Sequence, residues 1–179
     1  ATKLVLSHPL FGGSLSVGNE NTFTNHGQNY VNQENVVPST ASTIKERNNA
    51  FFFEYSRPTP IGQLMAGLRY EHVNSDYYDE GVYSPAHSRT YSQWFPSLTF
   101  ATRIKEVGLQ LSYSAKTSRP SYNQLGTNVA YMNRFTRQSG NPTLKPETLH
   151  NITLVSSWNW FTFVANYTQT HNKIMYWNE

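Results

Sequence analysis

The feature that most constrains this chain is a repeated pair of alternating segments, joined by connections that are short and long in turn. In Trp160–Thr170, Phe161, Phe163, Ala165 and Tyr167 lie on one face, and Thr162, Asn166 and Thr168 are among the residues on the other, which is the period of a β-strand with one apolar and one polar face. A tight turn joins this segment to His150–Trp158, and three earlier parts of the chain repeat the arrangement. The pattern predicts an all-β fold, an antiparallel up-and-down meander of about eight strands.

The same alternation predicts the other three hairpins. Their strand pairs are Thr2–His8 with Ser14–Thr24, a strand that begins near Thr43 and has its core at Asn49–Arg57 with Gln63–Val73, and Arg89–Ile104 with Val107–Thr117. The expected turns are Pro9–Gly13, where glycine supplies a positive φ, Pro58–Gly62, where two prolines end the ladder, and Lys105–Glu106. Long polar loops are expected from Asn25 to about Ser42, from about Asn74 to His87, and after Thr117. Pro96 cannot donate to a ladder, so it is expected to mark a bulge or the loop-side end of regular pairing.

Composition excludes several classes of protein. The longest aromatic run is Phe51–Phe53, far short of the roughly 20 apolar residues that a transmembrane helix needs. The mean hydropathy of -0.58 does not exclude a transmembrane barrel, because the strands of such a barrel are half polar. The chain has no cysteine, and its net charge of +3 comes without a Lys/Arg cluster. Disulfides, thiolate metal sites and nucleic-acid partners are therefore not expected.

The alternation of connection lengths favours one architecture over another. Outer-membrane barrels have short periplasmic turns and long external loops, whereas soluble sandwiches show no such regularity. Aromatic residues lie near the predicted strand ends, where the girdles of a barrel would be: Tyr70, Trp94, Tyr113, Trp158 and Tyr167. We therefore expect a piece of a transmembrane β-barrel, with its apolar face toward lipid and its polar face toward the lumen. The alternative is a soluble β-sandwich that binds carbohydrate through Tyr and Trp.

Two motifs add a resemblance to a known family. Arg119-Pro120-Ser121-Tyr122-Asn123-Gln124-Leu125 precedes Gly140-Asn141-Pro142-Thr143-Leu144-Lys145-Pro146-Glu147, and Ser88–Leu98 is a third stretch of the same kind. They resemble the late-barrel signature of TonB-dependent receptors, most closely the Bacteroidetes outer-membrane β-barrel family. The resemblance implies a barrel of about 22 strands in the outer membrane of a Gram-negative bacterium. It also implies import of a nutrient, an oligosaccharide or an iron chelate, with a plug domain and an energy-coupling protein as partners.

The ends of the chain suggest a part of such a receptor. Residue 1 is Ala with no apolar leader after it, and the chain stops within the strand-like run Ile174–Glu179. We interpret 1–179 as a single β-barrel segment truncated at both ends, without a signal peptide or plug domain. Such a segment is expected to close into a small barrel or to pair edge to edge with a copy of itself.

No constellation in the sequence indicates catalysis, and we expect no enzymatic activity, metal or cofactor. The six His residues are scattered, and the acidic residues Asp76, Asp79 and Glu80 are interpreted as a solvated loop. The motif residues are expected to position loops rather than to contact ligand: Arg119, Pro120, Tyr122, Gly140, Asn141, Pro142, Lys145, Pro146 and Glu147. The candidates for weak ligand binding are the loop aromatics Tyr77, Tyr83, Tyr91 and Trp94.

Strand periodicity also assigns side chains to the two faces of the sheet. One face is expected to carry Leu64, Leu68, Leu109, Leu111, Phe161 and Phe163. The other is expected to carry Arg69, Gln110, Lys116 and Asn166. Arg69 and Glu71 fall on the same face, so they are expected to pair with each other or to reach across to a neighbouring strand.

Overall fold

The structure is a computed structural model, and it describes residues 1–31, 39–126, 129–133 and 136–175. Eleven strands and one short helix are present in these ranges. They are β1 Thr2–Leu10, β2 Gly13–Tyr30, β3 Thr40–Thr59, β4 Gly62–Asp79, β5 Val82–Tyr83, β6 Arg89–Ile104, β7 Val107–Ser118, α1 Tyr122–Leu125, β8 Val129–Asn133, β9 Thr136–Ser139, β10 Glu147–Trp158 and β11 Phe161–His171. Among these residues, no helix is long and apolar enough to cross a membrane.

The main sheet is the predicted up-and-down meander. Its order is β1-β2-β3-β4-β6-β7-β10-β11, with every pair antiparallel, while β5 pairs with the end of β4 and β8 pairs with β9 in a separate hairpin. The all-β antiparallel prediction is therefore confirmed. In the described ranges β1 and β11 are the two ends of the order, so the expected closure of eight strands into a small barrel is not present.

The register confirms the assignment of side chains to faces. Leu64 lies opposite Phe100, which lies opposite Leu111, and this row continues to Leu154 and Ala165. Because directly opposed residues share a face, the six predicted apolar residues lie together on what we term the apolar face. The four polar ones lie on the polar face.

The strands are longer at their loop ends than the sequence suggested. β2 continues to Tyr30, β3 begins at Thr40 and β4 continues to Asp79, so much of the expected loops at 25–42 and 74–87 is paired strand. These tips carry polar residues on both faces and therefore lack alternation. Backbone pairing continues there because it does not require an apolar side chain.

The turns are tighter than expected. Pro9 and Pro58 are both inside ladders, opposite Ser14 and Gln63, which corrects the expectation that prolines end the pairing at 58–62. The first turn is Phe11–Gly12, and both residues have positive φ, as a two-residue hairpin turn requires. The turn at Lys105–Glu106 is confirmed. Pro96 remains paired with β4, but the pairing of β6 with β7 begins only at Ser97, so it does mark the end of one ladder.

The buried core is small and lies on the polar face near the loop ends. Ile44 of β3, Tyr77 of β4 and Leu125 of α1 form it, with Tyr122 and Leu144 packed against them. The apolar face carries large exposed side chains instead, including Phe51, Leu68, Leu111, Phe161 and Tyr167. The sheet therefore presents an uncovered apolar surface on one side and a partly covered polar surface on the other.

Candidate functional site on the polar face

The connection between β7 and β10 folds back over the polar face of the sheet. We term its described residues Arg119–Gly126 and Gly140–Pro146 the folded-in segment. Tyr122 stacks on His26 of β2 with ring centroids 4.4 Å apart, and Gln28 Nε2 donates to Asn123 Oδ1 at 2.7 Å. Since β7 and β10 are neighbours in the sheet, the segment is an excursion over that face and not a bridge between distant strands.

A single helical turn orients the segment. Ser121 caps α1, because its hydroxyl accepts from Gln124 N while Gln124 Oε1 accepts from Ser121 N, a complete capping box. Residues three apart on a helix share a face, so Tyr122 and Leu125 both point to the sheet. Leu125 is 3% exposed between Ile44 and Tyr77.

Arg119 fixes the segment to β3 and β4 by two ion pairs. Its Nη1 lies 3.2 Å from Glu46 Oε1, and its Nη2 lies 2.6 Å from Glu71 Oε2. Both glutamates are 8% exposed. Burial of a carboxylate is costly unless it is paired and hydrogen-bonded, so Arg119 stabilises Glu46, which has no other ion pair within the described ranges, and contributes one of the ion pairs of Glu71.

Arg69 extends the arrangement toward β2. Its Nε lies 2.7 Å from Glu71 Oε1 and its Nη1 lies 3.1 Å from Glu20 Oε2, so it both pairs on its own strand and reaches across the sheet. Ala50 makes this reach possible, because it lies between Glu20 and Glu71 in the register and its side chain is small. Both expected partnerships of Arg69 are therefore present.

Together Glu20, Glu46, Arg69, Glu71 and Arg119 form what we term the ionic network. Three carboxylates and two guanidinium groups give it a formal charge of −1. Arg119 is the one member contributed by the folded-in segment. The network therefore joins the segment to three strands of the sheet.

The return limb of the segment packs against the outgoing limb. Asn141 N donates to Gln124 O at 2.6 Å, and Asn141 Oδ1 accepts from Thr143 N at 2.9 Å. A Cβ on Gly140 would lie 2.6 Å from Gln124 O and 2.7 Å from Asn123 O, and closer still to Gly126 O. Glycine at this position permits the close approach of the two limbs, because a side chain would clash with these backbone oxygens.

The remaining motif residues hold the ends of this limb. Arg89 Nη1 of β6 donates to Leu144 O. Glu147 begins β10, and its Oε1 accepts from Ile174 N at 2.5 Å. Pro120 and Pro146 are buried, Pro142 is half-buried and Lys145 is exposed. These contacts agree with a loop-positioning role for the motifs.

Arg89 and Tyr91 of β6 lie on the polar face toward the loop ends of the sheet, and both side chains are half-buried.

The four aromatic ligand candidates do not form one site. Tyr77 is buried in the core, and Tyr91 is half-buried on the polar face. Trp94 lies on the apolar face, 61% exposed and 4.6 Å from the ring of Tyr70. Tyr83 lies in β5, opposite the tip of β4, where it contacts Tyr78 edge to face. Ligand binding by any of the four stays a prediction.

Sequence reasoning missed most partners of the folded-in segment. His26, Gln28 and Ile44 lie at strand tips, in or next to the stretch that was expected to be a loop, and Glu46 lies just before the core of the expected strand. Their neighbours Asn25, Lys45 and Arg47 are polar as well, so no alternation marked them. Within the described ranges, no three His, Cys, Asp or Glu residues come together as a potential metal site.

Comparison with known proteins gives one family. The model of the outer membrane protein beta-barrel family matches residues 1–178 of the chain. The searches of curated proteins and of solved structures return no match.

Proposed function

The chain belongs to the outer membrane protein beta-barrel family, and on that premise we propose that it is the barrel part of a TonB-dependent receptor of the Bacteroidetes type. Membership locates the protein in the outer membrane, with lipid against the apolar face. The proposed activity is to bind a nutrient, an oligosaccharide or an iron chelate, and to pass it inward. A plug domain and an energy-coupling protein are the proposed partners, and no enzymatic activity is proposed.

The folded-in segment is the observation that carries this proposal. A pore for free diffusion needs an open lumen, whereas here a segment of the motif residues lies on the lumen side. It is fixed there by Arg119 to Glu46 and Glu71. A segment held over the lumen-facing side of the sheet supports controlled passage, as a gated receptor requires.

The soluble sandwich module is not retained as an alternative. A sandwich packs two sheets through their apolar faces. In the described ranges the second sheet is only the hairpin of β8 and β9, and side chains such as Phe51 and Leu111 remain more than half exposed on the main sheet. Membrane lipid accounts for that exposure.

Uptake by the bacterium that encodes the protein tests the proposal. Radiolabelled oligosaccharides and ferric chelates are supplied to wild-type cells and to cells lacking the gene, each with and without a protonophore. We expect gene-dependent uptake of one class of compound, abolished when the proton gradient is dissipated. Gene-dependent uptake that persists with the protonophore would instead identify a passive pore.

A further inference from the structure

The charged residues on the apolar face of β3 indicate where the two boundaries of the membrane lie along the strand. Arg47 and Arg57 share this face, and the side chains between them on it are uncharged: Asn49, Phe51, Phe53 and Tyr55. The two arginines are ten positions apart, which is about 33 Å along a strand. With a strand tilt of about 35–45° from the barrel axis, the two arginines are about 23–27 Å apart along that axis, which is close to the height of the apolar band of an outer-membrane barrel.

The spacing between the two arginines places Arg47, and Lys45 beyond it, at the level of the lipid headgroups on the loop side of the sheet. Arg57 is two residues from the end of β3 at a short turn, and short turns of such barrels face the periplasm. The loop side is therefore the external leaflet. Phe51, Tyr70 and Trp94 form one cross-strand row on the membrane side of Arg47, separated from it by the row of Asn49, where an aromatic girdle is expected.

A groove on this surface accompanies the two cations. Phe23, Asn25, Lys45, Arg47, Asp76 and Tyr78 line a groove of about 310 Å³. Lys45 Nζ lies 4.7 Å from the centroid of the Tyr78 ring, and this cation–π contact keeps the ammonium group at the wall of the groove. Asp76 lies opposite Lys45 in the register. Among the described residues, however, neither the ammonium of Lys45 nor the guanidinium of Arg47 has a carboxylate oxygen within 4 Å.

We propose that Lys45 and Arg47 bind the phosphate groups of lipid headgroups in the external leaflet. The planar guanidinium of Arg47 supplies two parallel donors to a phosphate, and the ammonium of Lys45 supplies a second charge. The aromatic walls contact the adjoining glycerol and acyl atoms. Asp76 repels phosphate and so limits the affinity of the groove. This inference rests on the membrane location of the apolar face and not on transport.

The test measures binding of a fluorescent lysophosphatidic acid to the whole chain in maltoside micelles, with the matching lysophosphatidylcholine as reference. We expect the phosphomonoester lipid to bind more tightly, and the preference to shrink as salt rises. Lys45→Gln with Arg47→Gln should weaken its binding about thirtyfold, since each basic residue near an anionic membrane surface contributes about fivefold. Asp76→Asn should strengthen binding.

A matched control removes the same charge from the other face. Arg103 and Lys116 are exposed on the polar face, and Arg103→Gln with Lys116→Gln should leave binding unchanged. Circular dichroism establishes that each variant is folded. Equal affinity for the two lipids, or an equal loss in both double variants, would overturn the proposal. An unchanged affinity in the Asp76→Asn variant would also overturn the proposal. This result can be measured even if the Lys45→Gln, Arg47→Gln double variant does not fold.

Discussion

Gly140→Ala should release the folded-in segment while leaving the sheet intact. The new methyl group would press on three backbone carbonyl oxygens, those of Asn123, Gln124 and Gly126. None of them is the end of a flexible side chain, so one limb of the segment has to move. Overpacking of this kind costs about 1–3 kcal/mol, which is about 5- to 150-fold in the equilibrium between docked and released segment.

Hydrogen exchange measured by mass spectrometry reads this equilibrium directly. The amides of Gly126 and Asn141 are bonded only within the segment, to Tyr122 O and Gln124 O, so they report its opening. In the variant, their exchange should accelerate by the same factor, while the amides of β3 and β4 exchange as before.

Gly27→Ala is the matched control. Gly27 lies in β2 on the same sheet, and a Cβ there meets nothing within 4 Å. Its exchange pattern should equal that of the parent chain. Equal exchange in the Gly140→Ala variant and the parent would refute the close-approach explanation, and faster exchange throughout the sheet would refute the independence of the segment.

Three further outcomes are expected. Arg119→Met should lower the free energy of unfolding by about 1–3 kcal/mol in urea titrations, because Glu46 loses its ion-pair partner and Glu71 keeps only Arg69; no change would show that the ion pairs of Arg119 contribute nothing. Leu111→Arg should cost up to about 2–4 kcal/mol in bilayers because it puts a charge against lipid, whereas Gln110→Arg on the opposite face should cost almost nothing; equal costs would contradict the assignment of faces. Thr162→Cys, on the edge strand β11, should form disulfide-linked dimers in this cysteine-free chain, and Ser112→Cys, on a central strand, should not; equal dimer yields would argue against pairing through the edges.

The strands were predicted correctly from the sequence in the segments where one face of the sheet is apolar and the other is polar. In Val107–Thr117, apolar residues face lipid and polar ones face the lumen, so the alternation is plain and the strand bounds are nearly right. At the tips of β2, β3 and β4 both faces carry polar residues. The hydrophobic pattern then contains no information about pairing, and strand was mistaken for loop.

The candidate site was less predictable because its contacts are distant in the sequence. The motif around Arg119 was recognised as unusual, and a positioning role was expected of it. Its partner Glu46 has no local signature, since it stands between Lys45 and Arg47 in a uniformly polar stretch. Only the register, which aligns Glu46 with the surface under the segment, reveals why an arginine is needed there.

The contacts of the folded-in segment join residues that are far apart in the sequence, and this separation determines the order in which parts of the protein fold. Each hairpin of the meander pairs residues that are close along the chain, so its loop-closure entropy is small. Arg119 contacts Glu71 across 48 positions and Glu46 across 73, and Asn123 contacts Gln28 across 95. These partners lie on one surface only after β2, β3 and β4 have paired. Docking of the segment is therefore a late step, and the lumen side of the nascent sheet stays open to water until it occurs.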